Sequence, residues 1–387
     1  MTLRSRKYVL LENSGSPCLL NSSAIVSLSM ENKGLLFIPD ITGFTRFVTD
    51  MEIEHSRHII QELLEVLIDA NQVGLEISEI EGDAILFYKF GNPPTIDAIY
   101  RQVEKMFCAF HRHLQSYEYR RFCQCKACVS AINLSLKVIT HYGEFTGYSV
   151  KTFQKLIGKD VIVAHQLLKN NIEQHEYWLA TPNLIGDKPP EGLKQWLQWS
   201  TSAKETEAGT IPFHYAQLSE LKNEIEPEPG PSLELPRKLK CLTVSREFDT
   251  DVKTLFFTTA HLEFRNQWME GVKKIDDVDH FLPGIGTRHR CFLDDEQVIL
   301  YTSSLSYDPQ TKIIFSETDE KKTHSVYFIL EPIEEKRSRF TVELYMPGYI
   351  MKFVFDFFMK KKMEGRMQRS MDNLEKLLKG IVLPVEF

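Results

Sequence analysis

The sequence predicts an α+β protein in two parts, from three observations. The chain has 387 residues, more than a single hydrophobic core ordinarily serves. Residues 221–236 gather four Pro and four Glu around one Gly, a linker by composition. The hydrophobic pattern also changes across that stretch. Strand and helix periods alternate before it, whereas strand, short helices, a run of strands and one long helix follow it. The expected division is therefore a first domain over 30–220, a linker over 221–236 and a second domain over 237–387. Residues 1–29 carry Arg4, Arg6 and Lys7 and then short apolar pieces broken by polar residues, Gly and Pro. No compact apolar stretch precedes a small-residue cleavage site, so this is not the pattern of a signal peptide. Met30 is read as the start of translation, with a disordered arm as the alternative.

In the first domain, Leu35–Pro39 is a continuous apolar run, the pattern of a buried strand. Residues 54–73 place Ile59, Ile60, Leu63, Leu64, Leu67 and Ile68 at helical spacing. Residues 75–80 and 84–90 read as strands joined by the turn signal Glu81-Gly82-Asp83. A helix is predicted over 95–114, a strand over 131–141, another near 148–153, a helix over 161–171 and a short strand at 177–180. The order β-α-β-β-α-β is ferredoxin-like, extended at its end.

In the second domain a strand is predicted over 239–248 and two short helices within 251–271. Strands follow near 287–293, 298–306, 311–317, 324–331 and 338–345, then a helix over 348–379. Its apolar stretch, 349–359, is too short to span a bilayer and contains Lys352 and Asp356. It reads as core-facing, with Val354, Phe355, Phe358 and Met359 either lining an apolar cavity or simply filling the core.

Composition narrows the function classes. Hydrophobic residues make up 43%, charged residues 26%, and the net charge is −7, which gives no general attraction to nucleic acid or to an acidic membrane. No run of about 18 apolar residues marks a membrane span. Seven cysteines, an odd number, point to a reducing cytosol and a cytoplasmic protein.

The most informative stretch is Phe37-Ile-Pro-Asp-Ile-Thr-Gly-Phe-Thr45. Asp40 closes a buried strand and offers a hard oxygen to Mg²⁺ or Mn²⁺. The turn through Gly43, Phe44 and Thr45 offers backbone N–H groups to phosphates. The hairpin Glu79-Ile-Glu-Gly-Asp83 adds a second carboxylate on an adjacent strand, as two-metal sites require. The candidate metal ligands are Asp40, Asp83 and, through its backbone, Ile41.

These two motifs resemble the class III nucleotidyl cyclases, whose first strand carries Phe-x-Asp-Ile-x-Gly-Phe-Thr and whose hairpin carries Gly-Asp. Here they are Ile38–Thr45, with Ile38 in place of the Phe, and Gly82-Asp83. Thr140-His-Tyr-Gly143 resembles the family's His-x-Gly strand and Leu156-Ile-Gly158 its Trp-Gly segment. The resemblance covers about 33–180 and implies a purine nucleoside triphosphate bound with Mg²⁺ or Mn²⁺ between two copies of the domain, hence a homodimer. It also implies a base-reading role for Glu79, the choice that goes with GTP or with no nucleotide at all, and for Lys155, which matches neither the Asp of adenylyl cyclases nor the Cys of guanylyl cyclases. The Asn and Arg that stabilise charge on the transferring phosphate correspond to Ile162 and Gln166. The first has no donor and the second is neutral, with Lys159, His165 and Lys169 as potential substitutes.

Cys123, Cys125 and Cys128 form a Cys-x-Cys-x-x-Cys cluster, and Cys108, His111 and His113 lie upstream. Three cysteines with Cys108 would suit a structural zinc ion, the alternative being reduced cysteines near a loop. The second domain resembles the START-like superfamily, including polyketide cyclase-type and Bet v 1-like domains, in its element order and in Trp268–Val272 and Gly286–Arg290. That resemblance implies a helix-grip fold holding an apolar small molecule. Two functions follow: a divergent nucleotidyl cyclase controlled by that ligand, or a catalytically inactive nucleotide- or lipid-sensing signalling protein.

Overall fold

The computed structural model describes residues 32–49, 53–121, 126–207, 209–226, 233–277, 284–293 and 296–381. The reading of residues 1–29, and of Met30 as a start, lies outside them.

The first half runs β1 (Lys33–Thr42), α1 (Phe44–Thr49), α2 (Ile53–Asp69), β2 (Glu76–Glu81), β3 (Ala84–Phe90), α3 (Ile96–Arg120), α4 (Lys126–Ser130), β4 (Ser135–Glu144), β5 (Thr146–Val150), β6 (Phe153–Ile157), α5 (Lys159–Leu168), β7 (Tyr177–Ala180), α6 (Pro182–Ile185), β8 (Trp199–Thr206) and β9 (Gly209–Gln217). Its main sheet has the order β2-β3-β1-β4-β7-β9-β8. The apolar run of β1 makes it an interior strand. Leu35, Phe37 and Ile41 pack into one core with α2 and α3, while Leu36 and Ile38 pack into a second core with Val161, Ala164 and Leu167 of α5. Two-sided burial is why this strand reads as continuous rather than alternating.

Two local differences have physical causes. The strand expected near 148–153 is the hairpin β5–β6, which turns at Lys151 with φ of 56° and forms its own two-stranded sheet. The hairpin β8–β9 escapes a hydrophobic-pattern reading because β8 is polar and largely exposed.

His111 is buried on α3 with Nε2 3.6 Å from Glu176. Burial, with the Lys222 charge adding to it, lowers its pKa from 6.5 to about 4 despite Glu176. The unfolded chain therefore takes up a proton that the folded chain refuses. This contribution is fully present above pH 6.5 and is lost as pH falls toward 4. Relative to His111→Gln, the wild type should lose about 3 kcal/mol over that window, read from urea midpoints against pH. Parallel curves for the two proteins would refute it.

The second half runs β10 (Lys238–Phe248), α7 (Val252–Ala260), α8 (Leu262–Trp268), β11 (Val272–Asp277), β12 (Arg288–Leu293), β13 (Gln297–Asp308), β14 (Lys312–Asp319), β15 (Ser325–Glu334), β16 (Arg337–Pro347), α9 (Gly348–Phe358) and α10 (Lys360–Leu378). The antiparallel sheet has the order β10-β16-β15-β14-β13-β12-β11. α7 begins where Asp251 Oδ1 accepts from the N–H groups of Lys253 and Thr254 at 3.0 and 2.9 Å, an N-cap. Trp268, Phe256, Phe315, Phe328 and Phe340 fill the core, joined by Met371 and Leu374 of α10.

The single C-terminal helix expected over 348–379 is two helices that part at Met359. Of the four residues expected to line a cavity or fill the core, only Phe355 is inside, at 1% exposure. Val354, Phe358 and Met359 are 46%, 73% and 48% exposed. A helix apolar nearly all round can bury only the stripe that meets its sheet. Here that stripe is Phe355 together with Lys352, whose Nζ donates to Lys240 O at 2.8 Å.

Candidate functional site

The hairpin β2–β3 closes through Gly82, whose φ of 64° suits glycine, and Ile41 N donates to Asp83 O at 3.0 Å. That bond fixes the hairpin tip against the end of β1. Asp40 pairs in register with Ala84 on one side and with Lys137 of β4 on the other. Gly43, at φ of 93°, turns the chain from β1 into α1. Asp40, Ile41, Gly43, Phe44, Thr45 and Asp83 consequently line one cavity of about 490 Å³, on the α5 side of the sheet.

Sequence reasoning missed Lys137. Its Nζ lies 3.5 Å from Asp40 Oδ1 and donates to Leu168 O at 3.0 Å. The signal was available in the alternation of β4, where Lys137 shares a face with buried Ile139. Burial raises the pKa of Asp40, and Lys137 opposes the rise. Burial, followed by the Asp40 charge, raises that of Asp83 from 3.8 to about 6. Two carboxylates that resist ionising together gain from a dication placed between them. The donor set fits one hard cation completed by phosphate oxygens, while Lys137 already supplies one positive charge. Among the described residues no group of three or more His, Cys, Asp or Glu side chains is placed to hold a metal.

His165 and Lys169, which follow from α5, line the same cavity. Ile162 points elsewhere and is 60% exposed. Gln166 is half-buried, its backbone oxygen accepting from Lys204 Nζ at 2.8 Å. Lys159 is exposed and does not line the cavity. Glu79 and Lys155 form a direct ion pair, with His165 Nε2 3.9 Å from Glu79. The structure thus brings Glu79 and Lys155, the two positions expected to read the base, together beside His165 of the carboxylate cavity.

The His-x-Gly segment is explained by packing. A Cβ on Gly143 would lie 2.2 Å from Asp160 Cγ, so only glycine admits that carboxylate. Asp160 Oδ2 accepts from Glu144 N at 2.6 Å and Oδ1 lies 3.0 Å from His141 Nε2. His141 Nδ1 is 2.7 Å from Thr181 Oγ1. This buried network pins the start of α5 to β4.

Cys123 and Cys125 lie outside the described residues. Cys128 is buried, and Cys108 is a thiol whose pKa burial and Glu104 push up to about 11.

Residues 60–177 match a family model described as "Protein of unknown function (DUF2652)". An uncharacterized protein, Rv2561/Rv2562, of Mycobacterium tuberculosis (strain ATCC 25618 / H37Rv) is 33% identical over 120 residues, 31% of this chain and 56% of that protein. The chain therefore spans just over half the length of that relative. Among solved structures, the guanylate cyclase domain of RhGC from Catenaria anguillulae in complex with GTP is similar at 16% identity and TM-score 0.36, covering 48% of this chain and 97% of that one. The adenylyl cyclase CyaB from P. aeruginosa is similar at 17% identity and TM-score 0.32, covering 48% and 93%. A Thalictrum norcoclaurine synthase point mutant is similar at 8% identity and TM-score 0.30, covering 37% and 94%.

Proposed function

We propose that the first half is a divergent class III nucleotidyl cyclase-like domain. In this reading it binds a purine nucleoside triphosphate with Mg²⁺ or Mn²⁺ and turns it over slowly. The carrying observation is the convergence of Asp40, Asp83 and the Gly43–Thr45 turn in one cavity beside Lys137 and Lys169. Bound there, the divalent cation supplies charge neutralisation to the phosphates. Asp40 and Asp83 hold it, the turn orients phosphate oxygens, and Lys137 and Lys169 add positive charge.

A homodimer is part of the proposal, because the positions matching the family's charge-stabilising helix belong to a facing copy. Ile77, Ile80, Tyr148, Val150, Ile157 and Ile162 are all exposed at 40% or more, which suits a face covered by a partner. A second reading, a nucleotide sensor without turnover, is favoured by Ile162, which offers a partner's nucleotide no hydrogen-bond donor. We read the second half as a START-like helix-grip domain from its order of strand, short helices, antiparallel sheet and terminal helices. The inward-facing Arg265, Glu317, Ser303, Ser316 and Thr318 make its interior partly polar, so a bound small molecule would meet polar groups as well as apolar ones.

Incubating the full chain with Mn²⁺ and each nucleoside triphosphate, and measuring both binding and cyclic product, tests the proposal. Binding with little product supports it, and no binding of any triphosphate sinks it.

A further inference from the structure

The helix α9, expected inside the core, carries the most exposed apolar surface among the described residues. Tyr349, Ile350, Phe353, Phe357 and Phe358 are between 70% and 82% exposed. They fall in two rows at i, i+4 spacing, Tyr349-Phe353-Phe357 and Ile350-Val354-Phe358, so they form one face of the helix. Phe353 and Phe357 stack with centroids 6.4 Å apart, and Phe358 packs edge-on to Phe357 at 4.9 Å. Single exposed apolar residues need no explanation, but a contiguous aromatic face marks a docking surface.

The opposite side of α9 is fastened to its own domain. Phe355 is buried, Lys352 donates to the β10 backbone, and Asp356 pairs with Lys352 and Lys360 at 3.0 and 3.5 Å. The helix is thus held as a ledge with its aromatic side outward.

Charge identifies what it docks on. The chain has a net charge of −7, yet Lys360, Lys361, Lys362, Arg366 and Arg369 follow α9 directly, with Glu364 as the one acidic residue within 360–369. Arg366 and Arg369 hold α10 to Glu270, through its backbone oxygen and its carboxylate. Lys360–Lys362 are exposed at the junction with the aromatic face, Lys360 pairing with Asp356 and Lys361 and Lys362 following it. Aromatic and aliphatic side chains beside a lysine cluster fit a bilayer interface bearing anionic headgroups. α9 has 11 residues, about 16 Å of helix against a hydrocarbon core of about 30 Å, so it would lie in the interface rather than cross it. We infer that α9 and Lys360–Lys362 form an interfacial docking surface for an anionic lipid bilayer. This is independent of the nucleotide proposal, since no residue of the carboxylate cavity takes part.

The test is flotation of the full chain with vesicles of phosphatidylcholine containing about one-third phosphatidylserine, beside vesicles of phosphatidylcholine alone. The wild type should bind the anionic vesicles and bind the neutral ones at least about tenfold more weakly. Lys360→Gln/Lys361→Gln/Lys362→Gln should weaken anionic binding by about a hundredfold, each cation near such a surface being worth roughly fivefold. Phe353→Ser/Phe357→Ser should abolish binding, with far-UV circular dichroism unchanged because both side chains are at the surface. Absence of binding by the wild type, or binding that ignores both variants, overturns the inference. So does a solution dimer that Phe353→Ser/Phe357→Ser dissociates, which would assign this face to a second copy of the chain.

Discussion

Replacing Glu317 with Ala is expected to cost the protein about 3–5 kcal/mol, because it leaves the Arg265 guanidinium buried without its counter-charge. Arg265 is 1% exposed. Its two Nη atoms donate to the two Glu317 oxygens at 2.9 and 2.8 Å. Burial works to raise the Glu317 pKa, but Arg265 and His289 outweigh it and hold the carboxyl below its ordinary value. The guanidinium also lies over Trp268 and Phe328, 5.7 and 5.2 Å from their centroids, so urea unfolding followed by tryptophan fluorescence should report the loss. Removing both charges in Arg265→Met/Glu317→Leu should cost much less than the single change, since a buried pair can be replaced by apolar side chains at little net expense. Equal costs for the single and double variants would show that packing, not the orphaned charge, sets the effect.

Ile162→Asn/Gln166→Arg should raise the rate of cyclic product formation by about two orders of magnitude. The loss of one preorganised donor to a developing charge typically costs 10²–10³ in rate. Affinity for the nucleotide should change far less, because these groups act on charge that appears in the transition state. Ile162 is 60% exposed and free of core packing, so the substitution should be tolerated. The readout is cyclic nucleotide per unit time at saturating GTP and Mn²⁺, alongside the dissociation constant. An unchanged rate would mean that α5 does not face a nucleotide in the assembled protein.

Legibility followed burial. β1, β3 and six strands of the second sheet were readable because their side chains alternate or run apolar against a core, and β7 was bounded as read, whereas the polar edge strand β11 (Val272–Asp277) was missed. β8 was not, since a polar exposed strand carries no hydrophobic period. That Asp40, Asp83 and the Gly43–Thr45 turn share one cavity could be read because turn chemistry and metal chemistry both restrict residue type. Lys137 was not, because its role comes from register across β1 and β4, and pairing partners are long-range information. α9 shows the opposite failure. Its apolar sequence is the same whether it faces a core or a membrane, and only the position of Phe355 and Lys352 against β10 decides which side is covered. The net charge of −7 likewise averaged away the Lys360–Lys362 cluster.

The most direct measurement of the central claim is isothermal titration of GTP with Mn²⁺ into the wild type, Asp40→Ala and Asp83→Ala. The carboxylate pair is the proposed anchor for the metal–triphosphate. Saturable, Mn²⁺-dependent binding to the wild type is therefore expected, with a loss of at least about 3 kcal/mol of binding free energy in either variant, more than a hundredfold in affinity. Binding that is absent in the wild type, or equally strong without Asp40 or Asp83, would contradict it.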